Sequence, residues 1–293
     1  MILKVWGPGW GCPSIDANSL ILMSINKICG NHIIVDHSNI TFDAIFNKIP
    51  MLIHGKKSIF LNINFIINHF KKQNIDSDTL TDFEILLDSE SFINYICQSL
   101  YPAIIYTLWI DDVNNKECTR PAYAKNIKAP LGIYVLNRMN NGYKALLAGL
   151  FSLNYKALDI NDQKFKDMVY ENAIVCLKAL SKRLEENEFL LGNPYPTKVD
   201  TYMYANLAIL YYAPLKNAEL KSHLLSLPNL VSYVQRFTQI YFNNTTDSTF
   251  DAFSKQESEW PNKKRDKILW GIFIMTSITT YAFLSGIIKI EYV

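Results

Sequence analysis

Apolar and polar positions change rhythm once along this chain. Up to about residue 72 the pattern mixes short β-rich runs with helical stripes, and beyond residue 82 only helical spacing remains. Residues 2–6 read as a strand, and the turn Gly7-Pro8-Gly9-Trp10-Gly11 leads to a helix over 14–29 that Gly30 stops. Residues 32–37 form a β-rich run and 42–46 a short helix. A strand at 51–53 and a return at 58–61 flank the hairpin turn Gly55-Lys56-Lys57. Residues 63–72 close this half as a helix with Ile66 and Phe70 on one side.

The second half begins after a polar connection at 73–81. Residues 82–111 carry apolar side chains at helical spacing on both sides of Pro102, which predicts one long helix kinked there. Further helices are predicted at 122–126, 133–149, 162–186, 197–213, 217–225 and 229–242. The helix at 197–213 is apolar nearly all round, so it belongs at a domain centre. Gly192, Asn193, Pro194 and Pro196 break the chain before it. Thr197 stands three residues ahead of Asp200, the spacing of a capping box in which each side chain satisfies a backbone amide of the other.

Residues 243–267 turn polar and then basic. The run from Ile268 to Ile288, which includes Trp270 and Gly286, carries no charge. As a helix it reaches about 31 Å at about 1.5 Å per residue, the thickness of a hydrocarbon core. Lys263, Lys264, Arg265 and Lys267 precede it, so the positive-inside bias leaves the body in the cytosol and predicts a single-pass C-terminal anchor in the lipid bilayer. Thr276, Ser277, Thr279 and Thr280 make the span only moderately apolar, which with the basic flank favours the mitochondrial outer membrane over the endoplasmic reticulum. Ile2 to Trp6 opens the chain without the features of a secretory signal.

Composition narrows the chemistry. The 293 residues are 49% hydrophobic with a net charge of +2 and no basic stripe, which argues against nucleic acid. Five widely spaced cysteines without a CxxC fit a reducing compartment. No metal-ligand spacing, GxSxG, P-loop or dinucleotide fingerprint is present, and no cofactor is expected. Asp111-Asp112 and Glu185-Glu186 read as surface charges.

Phe189-Leu190-Leu191-Gly192 followed by Thr197 and Asp200 resembles the signature of the glutathione-transferase C-terminal domain. The resemblance implies a thioredoxin-like α/β domain over 1–73, an all-helical domain over 82–242, a linker over 243–267 and a transmembrane helix over 268–288. It also implies a cis bond before Pro50. In transferases the reactive group lies near the start of the first helix, where Cys12 and Ser14 stand. Here Cys12 reads as a packing residue and Ser14 as a helix cap. Asn62 and Ile63 occupy the places of the acidic residue and serine that would hold the γ-glutamyl end of glutathione, so binding should be weak or absent.

The opening Trp6-Gly7-Pro8-Gly9-Trp10-Gly11-Cys12-Pro13-Ser14, the run Leu108-Trp109-Ile110-Asp111 and the tail Leu284-Ser285-Gly286-Ile287 resemble those of the metaxins. That resemblance implies a non-catalytic subunit of the mitochondrial outer-membrane sorting and assembly machinery. Its partners would be a second metaxin, the β-barrel insertase, β-barrel precursors and mitochondrial transport adaptors. Two alternatives stay open: a membrane-tethered glutathione-dependent transferase using Cys12 or Ser14, and a tail-anchored adaptor of the ganglioside-induced differentiation-associated type. The latter family carries a long insertion for which 109–129 looks too short.

Overall fold

The computed structural model describes residues 1–30, 32–37, 49–55, 57–59, 63–75, 77–78, 82–127, 131–151, 163–242 and 276. The expected helix at 42–46, Asn62 and the anchor residues Ile268, Trp270, Gly286 and Ile288 lie outside them. Among the described residues no helix is long and apolar enough to cross a membrane.

Four strands form one sheet in the order β2-β1-β3-β4: β1 (Ile2–Lys4), β2 (Ile34–Asp36), β3 (Met51–His54) and β4 (Lys57–Ile59). β1 runs parallel to β2, with Leu3 opposite Val35, and antiparallel to β3, with Leu3 opposite Leu52. A parallel pair needs a crossover, and α1 (Ala17–Ile28) provides it. Gly30, at φ 90°, turns the chain out of α1. The Asn26 side chain then fixes the return by accepting from the Ile33 amide and donating to the Ile33 carbonyl, both at 2.9 Å. The Ile49–Pro50 bond is cis. α2 (Ile63–Lys72) buries Ile66, Ile67 and Phe70.

From Phe83 to Ile110 the chain is helical throughout, but not uniformly so. α3 (Phe83–Tyr95) passes into a π turn at Ile96–Leu100, α4 (Tyr101–Ile105) and a second π turn at Tyr106–Ile110. Proline lacks an amide and its ring crowds the carbonyl four residues back. The wider turn ahead of Pro102 takes up this conflict, with the Tyr101 amide reaching back to the Ile96 carbonyl. Asp111 then caps α5 (Asp112–Asn114). A third π turn, Asn115–Thr119, leads into α6 (Arg120–Lys125).

α7 (Gly132–Leu150), α8 (Gln163–Leu184), α9 (Lys198–Tyr212), α10 (Glu219–Leu225) and α11 (Pro228–Phe242) complete the described helices. Every residue of α9 from Lys198 to Leu210 is buried. α1, α3, α10 and α11 all pack against it. Leu3 and Leu52 of the sheet, Leu20 and Leu22 of α1 and Met203 and Leu207 of α9 therefore belong to one continuous core.

Candidate functional site

The turn that carries the reactive group in transferases is closed on itself here. Gly7 donates its amide to Asn126 Oδ1 at 3.0 Å, and a Cβ at Gly7 would collide with that side chain. Gly9 and Cys12 exchange backbone bonds of 3.1 and 2.8 Å. Trp10 and Gly11 make the corner at φ 57° and 82°. Cys12 is fully buried, and its thiol points at the Ala208 carbonyl of α9, 3.7 Å away. Burial pushes this thiol far above its ordinary range, and a carbonyl oxygen as its neighbour opposes a thiolate further.

The expected start of α1 is corrected. The helix begins at Ala17 and its cap is Asp16, which accepts from the Ser19 amide and the Ser19 hydroxyl, both at 2.8 Å on Oδ2. Ser14 is also fully buried and accepts from the Asp16 amide at 3.3 Å. Cys12 thus stands four residues ahead of the cap, outside the first turn whose free amides would favour an anion.

Aromatic side chains fill the space in front of this turn. Tyr123 donates to the Ile15 carbonyl at 3.2 Å and sits edge-on between Trp6 and Trp109, with centroids 4.8 and 5.0 Å away. Trp109 in turn stacks on Tyr143 at 4.8 Å. A cavity of about 20 Å³ remains, bounded by Asp16, Tyr101, Trp109, Tyr123, Tyr143 and Ile209. That is room for about one water, far below the roughly 300 Å³ at which pockets begin to take drug-sized ligands. Sequence reasoning singled out Trp109 but not Asp16, Tyr101, Tyr123 or Tyr143.

A second buried polar centre lies around Thr197 and Asp200. Thr197 and Asp200 form a capping box at the start of α9, and the carboxylate does more than close it. One oxygen accepts from the Thr197 amide at 2.9 Å and the Thr197 hydroxyl at 3.0 Å. The other accepts from the Leu190 amide at 2.9 Å and the Tyr233 hydroxyl at 3.2 Å. Asp200 therefore ties the Phe189-Leu190-Leu191-Gly192 turn, α9 and α11 together. Burial raises its pKa, against the lowering effect of the bonds from Leu190 and Thr197.

Asp111 is likewise more than a surface charge. It caps α5 through the Asn114 amide at 2.9 Å and accepts from the Asn217 side chain at 2.8 Å. Asn114 Oδ1 meanwhile takes the amides of Lys216 and Asn217 at 2.9 and 3.0 Å. His37 lies 3.3 Å from the Trp6 carbonyl. Among the described residues no three His, Cys, Asp or Glu side chains are grouped to hold a metal.

Residues 173–237 match the glutathione S-transferase C-terminal domain, and residues 19–140 match a family described as outer mitochondrial membrane transport complex protein. Mouse metaxin-1 is 28% identical over 99% of this chain and 92% of its own length. A Caenorhabditis briggsae metaxin-1 homologue is 29% identical over 84% and 76%, and zebrafish metaxin-3 is 27% identical over 83% and 76%. In fold the chain is similar to a Sphingobium β-etherase, with TM-score 0.53 and 14% identity over 87% of this chain and 98% of that one. A poplar glutathione transferase gives 0.50 and 11% over 85% and 98%. From end to end the chain is metaxin-like, built on the fold of the glutathione transferases.

Proposed function

We propose that the protein is a non-catalytic subunit of the mitochondrial outer-membrane sorting and assembly machinery, aiding insertion of β-barrel precursors and protein import. The observation that carries this reading is the similarity to metaxins along 99% of the chain, joined by the match of residues 19–140 to an outer mitochondrial membrane transport complex protein. The filled turn around Cys12 supports the non-catalytic part. A transferase needs an accessible thiolate-stabilising group, and here the thiol is buried against a carbonyl, while among the described residues the cavity beside Asp16 has room for about one water.

In this reading residues 1–73 and 82–242 form the cytosolic body, 243–267 a basic linker and 268–288 the single membrane span. Tethering raises the effective concentration of the body beside its membrane partners, namely a second metaxin and the β-barrel insertase.

The test is quantitative co-purification in mild detergent of the full chain and of a chain ending at Lys267, with bound glutathione assayed in each eluate. The expected outcome is recovery of a β-barrel insertase and a second metaxin with the full chain, a reduced yield with the truncated one, and no glutathione. A solitary protein that retains glutathione, and loses it on Cys12→Ala, would overturn the proposal.

A further inference from the structure

The residual cavity at the start of α1 has a chemistry that the assembly reading leaves unused. Asp16 is 6% exposed. Both of its hydrogen bonds fall on Oδ2, so Oδ1 has no hydrogen-bond partner among the described residues. No lysine or arginine among them pairs with this carboxylate. Tyr101 accepts from the Asn18 side chain at 3.4 Å and its own proton is uncommitted. The Tyr143 hydroxyl has no hydrogen-bond partner among the described residues. The rest of the wall is the apolar or aromatic surface of Ile104, Trp109, Tyr123 and Ile209.

We propose that this cavity receives a primary ammonium group at the end of an unbranched alkyl chain, as on a lysine side chain of a partner polypeptide, with Asp16 as its counter-ion. An –NH3⁺ group is close in size to the single water for which there is room, and its three donors suit a lining that offers the Asp16 carboxylate and two phenol side chains, Tyr101 and Tyr143. The aromatic walls add cation–π attraction. A quaternary ammonium is too large for the cavity, and an anion would meet the carboxylate. The inference stands apart from the assembly proposal and survives or fails on its own.

The test titrates the full chain in mild detergent with n-butylammonium chloride, n-butanol and tetramethylammonium chloride, following tryptophan fluorescence and the thermal midpoint. Saturable change with n-butylammonium alone is expected. Asp16→Asn keeps a good helix cap and should fold with a near-native midpoint while binding the amine at least about tenfold more weakly, the loss of about 1.4 kcal/mol of charge-assisted bonding. Nα-acetyl-lysine methylamide should bind as n-butylammonium does. Phosphoethanolamine, whose phosphate lies two carbons from the nitrogen and would press on the apolar rim, should not; if it binds and the lysine derivative does not, the lysine assignment is overturned in favour of a headgroup. Equal response to n-butanol, undiminished binding by Asp16→Asn, or no saturable response at all would overturn the proposal and leave the cavity a buried-water site.

Discussion

Replacing Asp200 by alanine should loosen the helical half more than any surface substitution. The change removes an acceptor from two buried backbone amides, Leu190 and Thr197, and from the hydroxyls of Thr197 and Tyr233. The hydroxyls can turn elsewhere, and Tyr233 already has the Asp200 carbonyl at 3.1 Å. The amides cannot turn. Each buried amide left without a partner costs about 1–3 kcal/mol, so two give about 2–6 kcal/mol. Burial of the charge, which is what raises the pKa of this carboxyl, is relieved by the same mutation and subtracts from that total. A net loss of about 3 kcal/mol follows, a factor of about 150 in the folding equilibrium. Asp200→Asn keeps the shape but presents one accepting oxygen instead of two, so one amide is stranded and roughly half the loss is expected. Urea unfolding of the full chain in mild detergent, read by the fluorescence of the buried Trp6 and Trp109, compares the three proteins. A loss below about 1 kcal/mol for Asp200→Ala would refute the claim that this carboxylate organises the turn, α9 and α11.

Acidification supplies a signed test of the same group. Its folded pKa lies above the ordinary value of 3.8, so the folded state holds more protons across that window and stability from this group falls as pH rises through it. The stability of the wild type relative to Asp200→Asn should therefore grow as pH is lowered from 7 towards 4; a constant or shrinking gap in urea midpoints would contradict the shift. Gly7→Ala forces a methyl group onto the Asn126 side chain and should cost about 1–3 kcal/mol, visible as a lowered thermal midpoint. Cys12 should resist alkylation by iodoacetamide in the native protein, because it is buried and its thiol is held protonated. Peptide mass spectrometry should find the half-buried Cys29 and Cys97 modified first, and faster labelling of Cys12 would refute the closed turn.

The helices of the second half were legible because their apolar periods are long, and the short strands because β-rich runs such as Met51-Leu52-Ile53 stand between turn residues such as Pro50 and Gly55. The position of the α1 cap was not, since Ser14 and Asp16 are both good capping residues. The choice between them depends on Ser19, whose amide and hydroxyl both reach Asp16. The π turns escaped for a similar reason. An extra residue rotates an apolar stripe by about 100°, but residues 102–110 are buried on every side and leave no stripe in which the shift would show; only Pro102 hinted at the first of them. The aromatic filling of the site was hidden more deeply. Trp6, Tyr101, Trp109, Tyr123 and Tyr143 come from separate elements, and nothing in their spacing says that they meet in front of α1. Asp200 was found as a cap from its distance to Thr197, whereas its bonds to Leu190 and Tyr233 depend on tertiary structure alone.

The contact between Cys12 and Ala208 has a bearing on how the chain is made. Its two ends are 196 residues apart, so on a ribosome moving at about 5–20 residues per second the first helix waits about 10–40 s for the wall it packs against. During that interval α1, whose Leu20, Leu22 and Ile25 the finished protein buries completely or nearly so, lacks the wall that α9 provides. The N-terminal sheet and α1 therefore wait with apolar surface uncovered, and a nascent chain stalled before α9 should be captured by chaperones more strongly than one stalled after it.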